Sequence, residues 1–351
     1  MKLAVEFPSV SYREGPEAVQ RIARAIERIG YDHIDIFDHV VMGIPIEGRP
    51  KGPYNPAMPI LEAFMALGYL AAVTTRVTLG TEVLVLPQRQ PALVAKQVST
   101  LDTLSGGRVR LGVGVGWQES EYEALGEDFH TRGTRMDEAI RLLRAYWCDA
   151  EVSFDSAHYP TVAMSMEPKP PQGARLPIWV GGNSEAAYRR VGRLGDGWLA
   201  SRVEDADGAR AAIASIRRHA EEAGRDPAAI GLQSMVAPPP RDAAGKTFYA
   251  SHDAVLARVA ALKSMGFGWV TLNATATSRR ARAPSTPWPP SSRSSTIASA
   301  PRWAEPDPWS APRRRWRCRA RSARRWPPRS SSAASAAPTS TRASGSTSPS
   351  G

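Results

Sequence analysis

An adjacent acid and histidine, Asp38 and His39, stand directly after an apolar, strand-like run (HIDIF). Histidine holds or transfers a proton near neutral pH, and a neighbouring carboxylate orients its ring. If the run is a strand of an α/β barrel, the pair lies at its carboxyl end, where such enzymes keep their catalytic groups. The pair is therefore our candidate for proton transfer. The alternative is a loop Asp that caps the next turn with the His packed beside it.

A glycine-laced segment at residues 111–126 (LGVGVGWQESEYEALG) is a second candidate site. Its alternating glycines let a flat ligand approach the backbone, because no Cβ intervenes, and Trp117 either stacks on a planar ring or plugs the barrel. A dinucleotide fingerprint needs Gly where Trp117 stands and an acidic residue at a strand end about 20 positions later. Asp137, at that spacing, lies in a helical pattern, which excludes a Rossmann fold. We expect most carboxylates of QESEYEAL to face solvent.

Glu82 interrupts an otherwise apolar strand-like run (LGTEVLVLPQRQP). A buried carboxylate is costly unless it is paired or used. Three interpretations are open: Glu82 pairs with a base such as Arg89, it faces the mouth of the barrel, or the strand bulges at this point. The residues alone favour a structural role.

A glycine pair, Gly181 and Gly182, leads into Asn183 and Ser184 at the start of a predicted helix. Such a turn offers free backbone N–H groups and the positive end of a helix to a phosphate, and barrels often hold phosphate after a late strand. The alternative is an ordinary turn with a Ser cap. We favour phosphate binding.

The sequence contains no candidate metal site and no candidate catalytic nucleophile. His130, His158, His219 and His252 lack metal-ligand spacing, and the chain contains no HExxH, CxxC, GxSxG or SxxK motif. Two cysteines, a short apolar N-terminus and the lack of an 18-residue apolar run argue against a disulfide framework, a signal peptide and a membrane span. We expect a cytoplasmic protein with no metal ion.

Eight strand-like runs alternate with amphipathic helical patterns. The runs begin near residues 3, 33, 77, 108, 176, 197, 230 and 268. This alternation requires a parallel sheet covered by helices, and eight strands favour a closed (β/α)8 TIM barrel over an open doubly wound sheet. An irregular stretch, 149–175, precedes the fifth strand. We expect it as an excursion at the barrel mouth, where it and the loop around 42–54 set substrate specificity.

The composition changes abruptly after Asn273, so we predict a barrel domain at 1–273 and a low-complexity tail at 274–351. Residues 278–351 hold 15 Arg, no Lys and 2 acidic residues, a net charge of +13, which leaves 30 basic against 32 acidic residues, a net charge of −2, for 1–277. The tail uses almost exclusively amino acids whose codons have C or G in the middle position. This bias suggests a frameshift near Ala274 in GC-rich DNA.

The frameshift hypothesis predicts a disordered, non-native tail in place of the last barrel helix. The alternative is an evolved Arg-rich arm, which would make the protein a noncatalytic nucleic-acid binder. Scattered Trp and the absence of Lys argue against such an arm. We therefore expect neither a nucleic-acid partner nor a membrane partner.

Four ordered segments resemble the bacterial luciferase-like monooxygenase superfamily, and within it the branch of deazaflavin-dependent oxidoreductases of actinobacteria. The segments are YDHIDIFDHV, the long run from VTLGTEVLVLPQRQP to GVGVGWQESEYEALG, RGTRMDEAIRLLRAYW, and LPIWVGGNSEAAYRRVGRLGDGWLA. Their ordered set covers roughly residues 1–273. The resemblance implies a (β/α)8 barrel that binds the deazaflavin coenzyme F-420 (F420) or, alternatively, FMN in a cleft at the carboxyl ends of the strands.

The resemblance also implies which residues contact the cofactor. A bulge in strand three, matched by Glu82 and Val83, would press on the middle of the flavin ring. The ring contacts would come from Asp38 and His39 and from Gly114, Val115, Gly116 and Trp117. The phosphate would lie at Gly181, Gly182, Asn183 and Ser184.

We therefore predict an oxidoreductase in which F420 exchanges a hydride with a small organic substrate while His39 handles the accompanying proton. The alternative is an FMN-dependent monooxygenase that inserts one oxygen atom from O2, and oxygen consumption separates the two. Sugar dehydrogenases of the superfamily carry a catalytic Glu where this chain has Trp117, which argues against a sugar phosphate as substrate. A flavin or deazaflavin reductase and a second copy of the chain, forming a homodimer, are the partners that suit this function.

Overall fold

Eight parallel strand positions close into a barrel with helices outside, which confirms the predicted (β/α)8 TIM barrel. The structure, a computed structural model, describes residues 1–49, 51–237 and 248–274. Its strands are β1 (Lys2–Glu6), β2 (His33–Ile36), β3 (Thr78–Thr81), β4 (Leu84–Val85), β5 (Val109–Gly114), β6 (Val152–Phe154), β7 (Thr161–Met164), β8 (Ile178–Gly181), β9 (Gly197–Ala200), β10 (Gly231–Val236) and β11 (Trp269–Asn273). Its helices are α1 (Pro16–Ile29), α2 (Ala63–Val73), α3 (Pro91–Ser105), α4 (Glu119–Leu125), α5 (Arg132–Cys148), α6 (Glu185–Leu194), α7 (Ala206–Glu222) and α8 (His252–Ser264).

The strand pairing explains how the barrel closes. β1 pairs with both β2 and β11, β3 pairs with both β2 and β5, and the sheet continues from β5 through β8, β9 and β10 to β11. The third position is split, since β3 and the short β4 both pair with β5. The predicted tail, its missing last helix and the frameshift concern residues that, apart from Ala274, lie outside the described part of the chain.

Local sequence explains where the elements begin and approach one another. Pro16 opens α1 at a position that needs no N–H donor, and Gly30 follows it with a φ of 108°, a left-handed conformation that favours glycine. Gly112 lies where β5 passes the split third position. A Cβ there would stand 1.8 Å from the carbonyl oxygen of Thr81, so only glycine lets the two strands approach this closely.

The excursion before the fifth barrel strand, residues 149–175, contains the antiparallel hairpin of β6 and β7. Tyr159 and Met166 of this excursion are buried in the main core cluster, and the Gln172 side chain donates to Asp102 of α3 (2.8 Å). None of its residues lines the cleft at the barrel mouth, as far as the described residues define that cleft. The expected position at the mouth is wrong, because these apolar and polar anchors hold the excursion against the outer helices.

A polar network fills the barrel interior below the mouth. His33 Nε2 lies 2.7 Å from Asp35 Oδ1, and Arg110 donates to Asp35 (3.2 Å) and to Gln233 (2.8 Å). Burial raises the pKa of Asp35, but the charges of His33 and Arg110 outweigh burial and leave the pKa below its ordinary range. The network therefore holds an ionised carboxylate and a guanidinium in the barrel core, beneath the groups at the mouth.

Candidate active site

A cleft of about 720 Å³ opens at the carboxyl ends of the barrel strands, and every barrel position contributes to its lining. The predicted site residues that line it are Asp38, His39, Glu82, Val83, Gly114, Val115, Gly116, Trp117, Gly181 and Gly182. Asn183 and Ser184 follow in the chain with exposed side chains and are not among the lining residues. A second cavity of about 370 Å³, between α1 and α2, is lined mainly by apolar side chains and offers little chemistry.

The imidazole of His39 is held by one hydrogen bond and two aromatic neighbours. Its Nδ1 lies 2.9 Å from the Oε2 atom of Glu121, on α4. The rings of Tyr54 and Trp117 approach it edge-on, with centroids at 5.7 and 5.6 Å. Within the described residues, Nε2 has no hydrogen-bond partner, so this nitrogen is left for a ligand of the cleft.

Glu121 is the carboxylate that orients His39, and sequence reasoning missed it. The expectation that the QESEYEAL carboxylates face solvent is wrong for Glu121, whose exposed fraction is 1%. Burial raises its pKa, but hydrogen bonds from His39 and from the backbone N–H groups of Val40 and Val41 outweigh burial and lower it overall. Helical spacing was the available signal, since Gln118, Glu121 and Leu125 share one face of this segment.

Asp38 serves a different partner from the one that the sequence suggested. Its carboxylate accepts from Arg89 (2.8 Å) and from the backbone N–H of Val85 (3.2 Å), while Arg89 also reaches Glu62 (3.2 Å). Burial raises the pKa of Asp38 in spite of Arg89. Asp38 therefore ties the end of β2 to the third barrel position rather than orienting the neighbouring imidazole.

Glu82 turns its carboxyl into the barrel interior, and pairing with Arg89 is wrong. Gln233 donates to its Oε2 atom (3.1 Å), while Oε1 is buried with no hydrogen-bond partner in the described chain. Burial raises the pKa of Glu82 well above its ordinary range, and the charge of Asp35 raises it further. Burial and the neighbouring carboxylate therefore both favour the protonated form of this carboxyl.

The main chain at Glu82 and Val83, joined by a cis peptide bond, separates β3 from β4. One extra residue lies here relative to β5, since Gly80 pairs with Arg110 and Leu84 with Val113, as the bulge interpretation predicts. The side chain of Val83 lies against the glycines of two neighbouring strand ends. A Cβ at Gly114 would lie 2.5 Å from a Val83 methyl group, and one at Gly181 would lie 2.8 Å away. The floor of the cleft is thus formed by the apolar side chain of Val83, which packs against the glycine backbone at Gly114 and Gly181.

The turn before α6 contains a Ser cap, as expected for the alternative interpretation of this segment as an ordinary turn. Ser184 Oγ accepts from the Ala187 N–H (3.3 Å), and the Asn183 side chain donates to the carbonyl of Arg202 (2.9 Å). Gly182 has a φ of 126°, and a Cβ at this position would lie 3.0 Å from that of Ala187. The phosphate site at this turn stays a prediction.

Glu6 and Tyr54 also line the cleft and were missed by sequence reasoning. Glu6 ends β1, is buried, and accepts from the side chain of Asn273 at the end of β11 (3.0 Å). The feature of the sequence that could have identified Glu6 is a carboxylate within an apolar, strand-like run. Tyr54 comes from the long loop after β2, where no periodicity predicts its position.

This barrel matches a known protein family over most of its length. The model of the family described as luciferase-like monooxygenase matches residues 2–292. The chain belongs to this family. The match continues past the change of composition at residue 273, and the frameshift stays a hypothesis.

Relatives of this luciferase-like chain include an uncharacterised protein of Mycobacterium tuberculosis, 39% identical over 212 residues, which cover 58% of this chain and 72% of the relative. An F420-dependent glucose-6-phosphate dehydrogenase of Gordonia bronchialis is 32% identical over 238 residues, 65% of this chain and 66% of the relative. Family and relatives make this protein an enzyme, an oxidoreductase of the luciferase-like type.

Solved structures share the fold of this luciferase-like chain. An F420-dependent secondary alcohol dehydrogenase with an F420–acetone adduct has a TM-score of 0.62 at 19% identity, over 78% of this chain and 92% of that one. The monooxygenase RslO1 from Streptomyces bottropensis has a TM-score of 0.61 at 20% identity, over the same shares. At these identities the likeness shows the barrel fold.

The described residues include neither a candidate membrane span nor a candidate metal cluster. No helix among them is long and apolar enough to cross a membrane. No group of three or more His, Cys, Asp or Glu side chains among them is arranged to hold a metal ion.

Proposed function

We propose that this protein is an F420-dependent oxidoreductase that transfers a hydride to or from a small organic substrate. One observation carries the proposal: an apolar, glycine-flanked floor at Val83 and an imidazole with an unpartnered Nε2 at His39 share one cleft. Relatives and structural neighbours named as F420-dependent enzymes support the choice of cofactor.

The cleft residues fit a flat ring system. At Gly114 and Gly181 a Cβ would collide with Val83, so the two glycines let the Val83 side chain lie flat against the backbone, where it offers an apolar surface to a planar ligand. We assign the ring contacts to Val83 with the segment 114–117, and the phosphate to the turn 181–184. A bound deazaflavin would supply the hydride acceptor or donor, which no protein side chain provides.

His39 would handle the proton that accompanies the hydride. When an alcohol is oxidised, its hydroxyl proton moves to Nε2 of His39, and in the reverse direction Nε2 returns that proton to the carbonyl oxygen. Tyr54 and Trp117 pack against the ring and limit the access of water to it. The substrate itself, a reductase partner and a homodimer stay predictions.

The competing function is that of an FMN-dependent monooxygenase. The family description and the similarity in fold to the monooxygenase RslO1 make it the second candidate. Turnover assays with the full chain, purified without added cofactor, separate the two. We expect alcohols or carbonyl compounds to change the visible absorbance of F420 with no oxygen uptake. Oxygen uptake that depends on reduced FMN, together with no reaction of F420 across the panel, contradicts the proposal.

A further inference from the structure

We propose that Glu121 is a positioning residue that holds His39 as the tautomer protonated at Nδ1, which leaves Nε2 free to accept a proton in the cleft. The catalytic consequence rests on the proposed function. The tautomer itself does not, because it follows from contacts within the protein.

The contacts of Glu121 fix its carboxylate in one orientation. Its Oε2 atom receives the hydrogen bond from His39 Nδ1 (2.9 Å), and its Oε1 atom accepts from the N–H groups of Val40 (2.6 Å) and Val41 (3.2 Å). The three donors are consecutive residues, so the carboxylate spans the whole segment that follows β2. With both oxygens engaged, the carboxylate is not free to rotate.

An ionised carboxylate only accepts hydrogen bonds, so its partner nitrogen has to carry a proton. The burial of Glu121 raises its pKa, yet the bonds from His39 and the two backbone amides bring the net value below the ordinary range. Glu121 is therefore ionised near neutral pH. His39 Nδ1 is then the donor, and Nε2 of the neutral ring is an acceptor.

The other groups around His39 do not set its tautomer. Tyr54 and Trp117 touch the ring through aromatic edges, and no other polar atom of the described chain bonds to the imidazole. The titratable or charged groups around this part of the cleft are Glu121 on α4, Asp38 with its partner Arg89, Tyr54 of the loop after β2, Glu6 of β1 and Glu82 after β3.

A purely structural role for Glu121 has to be separated from positioning, because the same carboxylate fastens the loop after β2. Gln118 fastens that loop as well, without touching His39. Its Oε1 accepts from the Gly43 N–H (3.1 Å), and its Nε2 donates to the Val41 carbonyl (2.8 Å). The variant Gln118→Ala is therefore the matched control for loop anchoring.

The variant Glu121→Gln tests the tautomer directly. The Gln oxygen still accepts from the two backbone amides, but its NH2 group now faces His39 and requires Nδ1 as acceptor, which moves the ring proton to Nε2. NMR of the imidazole nitrogens in the ligand-free full chain shows which nitrogen of His39 carries the proton. The His39 signals are assigned as those that disappear in His39→Asn. We expect an Nδ1 proton in the parent protein and an Nε2 proton in Glu121→Gln. An Nε2 proton in the parent protein overturns the proposal, and it does so even if the variant fails to fold.

Kinetics then separate positioning from anchoring. We expect kcat of Glu121→Gln to fall about 10- to 100-fold, with the F420 dissociation constant changed less than about threefold. We expect Gln118→Ala to keep kcat within about threefold of the parent value, because its tautomer is unchanged. Equal losses of kcat in the two variants contradict positioning. Failure of the proposed function would appear as no F420 turnover in the parent protein, and the NMR result would still decide the tautomer.

Discussion

Two histidines on the same stretch of chain each pair with a carboxylate, one inside the barrel and one at its mouth. His33 pairs with Asp35 at 2.7 Å, and His39 pairs with Glu121 at 2.9 Å. The interior ring is fully buried and uses both nitrogens, because its Nδ1 also bonds Thr78 (2.7 Å). The ring at the mouth uses one nitrogen and borders the cleft.

Residue types alone therefore do not distinguish a structural pair from a chemical one. Burial lowers the pKa of His33, and the neighbouring charge of Arg110 lowers it further, although Asp35 opposes both effects. The guanidinium of Arg110 also contacts the rings of Trp179 (4.5 Å) and Trp269 (4.9 Å), which shield this network from solvent. A pair with every polar atom engaged holds the fold, whereas a pair with one nitrogen left over can act on a ligand.

The largest effect on stability is expected when the interior pair is broken. Asp35→Ala leaves Arg110 without its buried counter-charge, and we expect the free energy of unfolding to fall by about 3–5 kcal/mol. Urea denaturation followed by circular dichroism measures the change. A loss below about 1 kcal/mol would mean that the interior pair is not structural.

At the mouth the same kind of change should affect rate rather than stability. We expect His39→Asn to lower kcat for the F420 reaction by about 10²- to 10⁴-fold, because the proton acceptor is lost. The free energy of unfolding should change by less than about 1.5 kcal/mol. Steady-state assays and urea denaturation of one preparation test both statements. A stable variant with normal kcat would remove His39 from the mechanism.

A smaller effect is expected from substituting glycines, which also differ between the cleft and the outer helices. Gly181→Ala forces a methyl group into contact with Val83 on the cleft floor, and we expect F420 to bind about tenfold more weakly, a loss of about 1.4 kcal/mol. Gly68→Ala on α2 is the control, because a Cβ there meets nothing within 4 Å. It should leave F420 binding unchanged and stabilise the helix by about 0.5–1 kcal/mol. Equal effects on the F420 dissociation constant would mean that the cleft floor does not touch the cofactor.

The smallest effect concerns Glu27, a carboxylate that belongs to neither histidine pair and binds the backbone just before β3. Burial raises its pKa, but bonds from the N–H groups of Val77, Arg76 and Thr75 lower it from 4.5 to about 2. A lowered folded-state pKa stabilises the protein above pH 4.5, and that stabilisation is lost as the pH falls towards 2. We expect Glu27→Gln to lose about 1 kcal/mol at pH 7.

Thermal melts of the parent protein and Glu27→Gln over a pH series measure this difference. The two melting curves should converge as the pH falls from about 5 towards about 2. A difference that is the same at every pH would show that the carboxylate charge is not involved.

The barrel and part of the cleft could be predicted from the sequence, but the two histidine–carboxylate pairs could not. Alternating strands and helices predicted the barrel, and strand ends predicted the cleft position of His39, Gly114 and Gly181, because parallel strands bring their carboxyl ends together. Glu121 was missed because a short acidic helix is normally solvated. Tyr54 was missed because an irregular loop carries no periodic signal, and the excursion was misplaced because its buried Tyr159 and Met166 are isolated apolar residues.

The central claim is that the cleft binds F420, and equilibrium titration of the purified full chain with F420 and with FMN tests it most directly. We predict saturable F420 binding at one molecule per chain with a dissociation constant of about 1 μM, roughly −8 kcal/mol, and FMN binding at least about tenfold weaker. Gly181→Ala should weaken F420 binding in the same experiment. Saturable FMN binding with no binding of F420 would contradict the account.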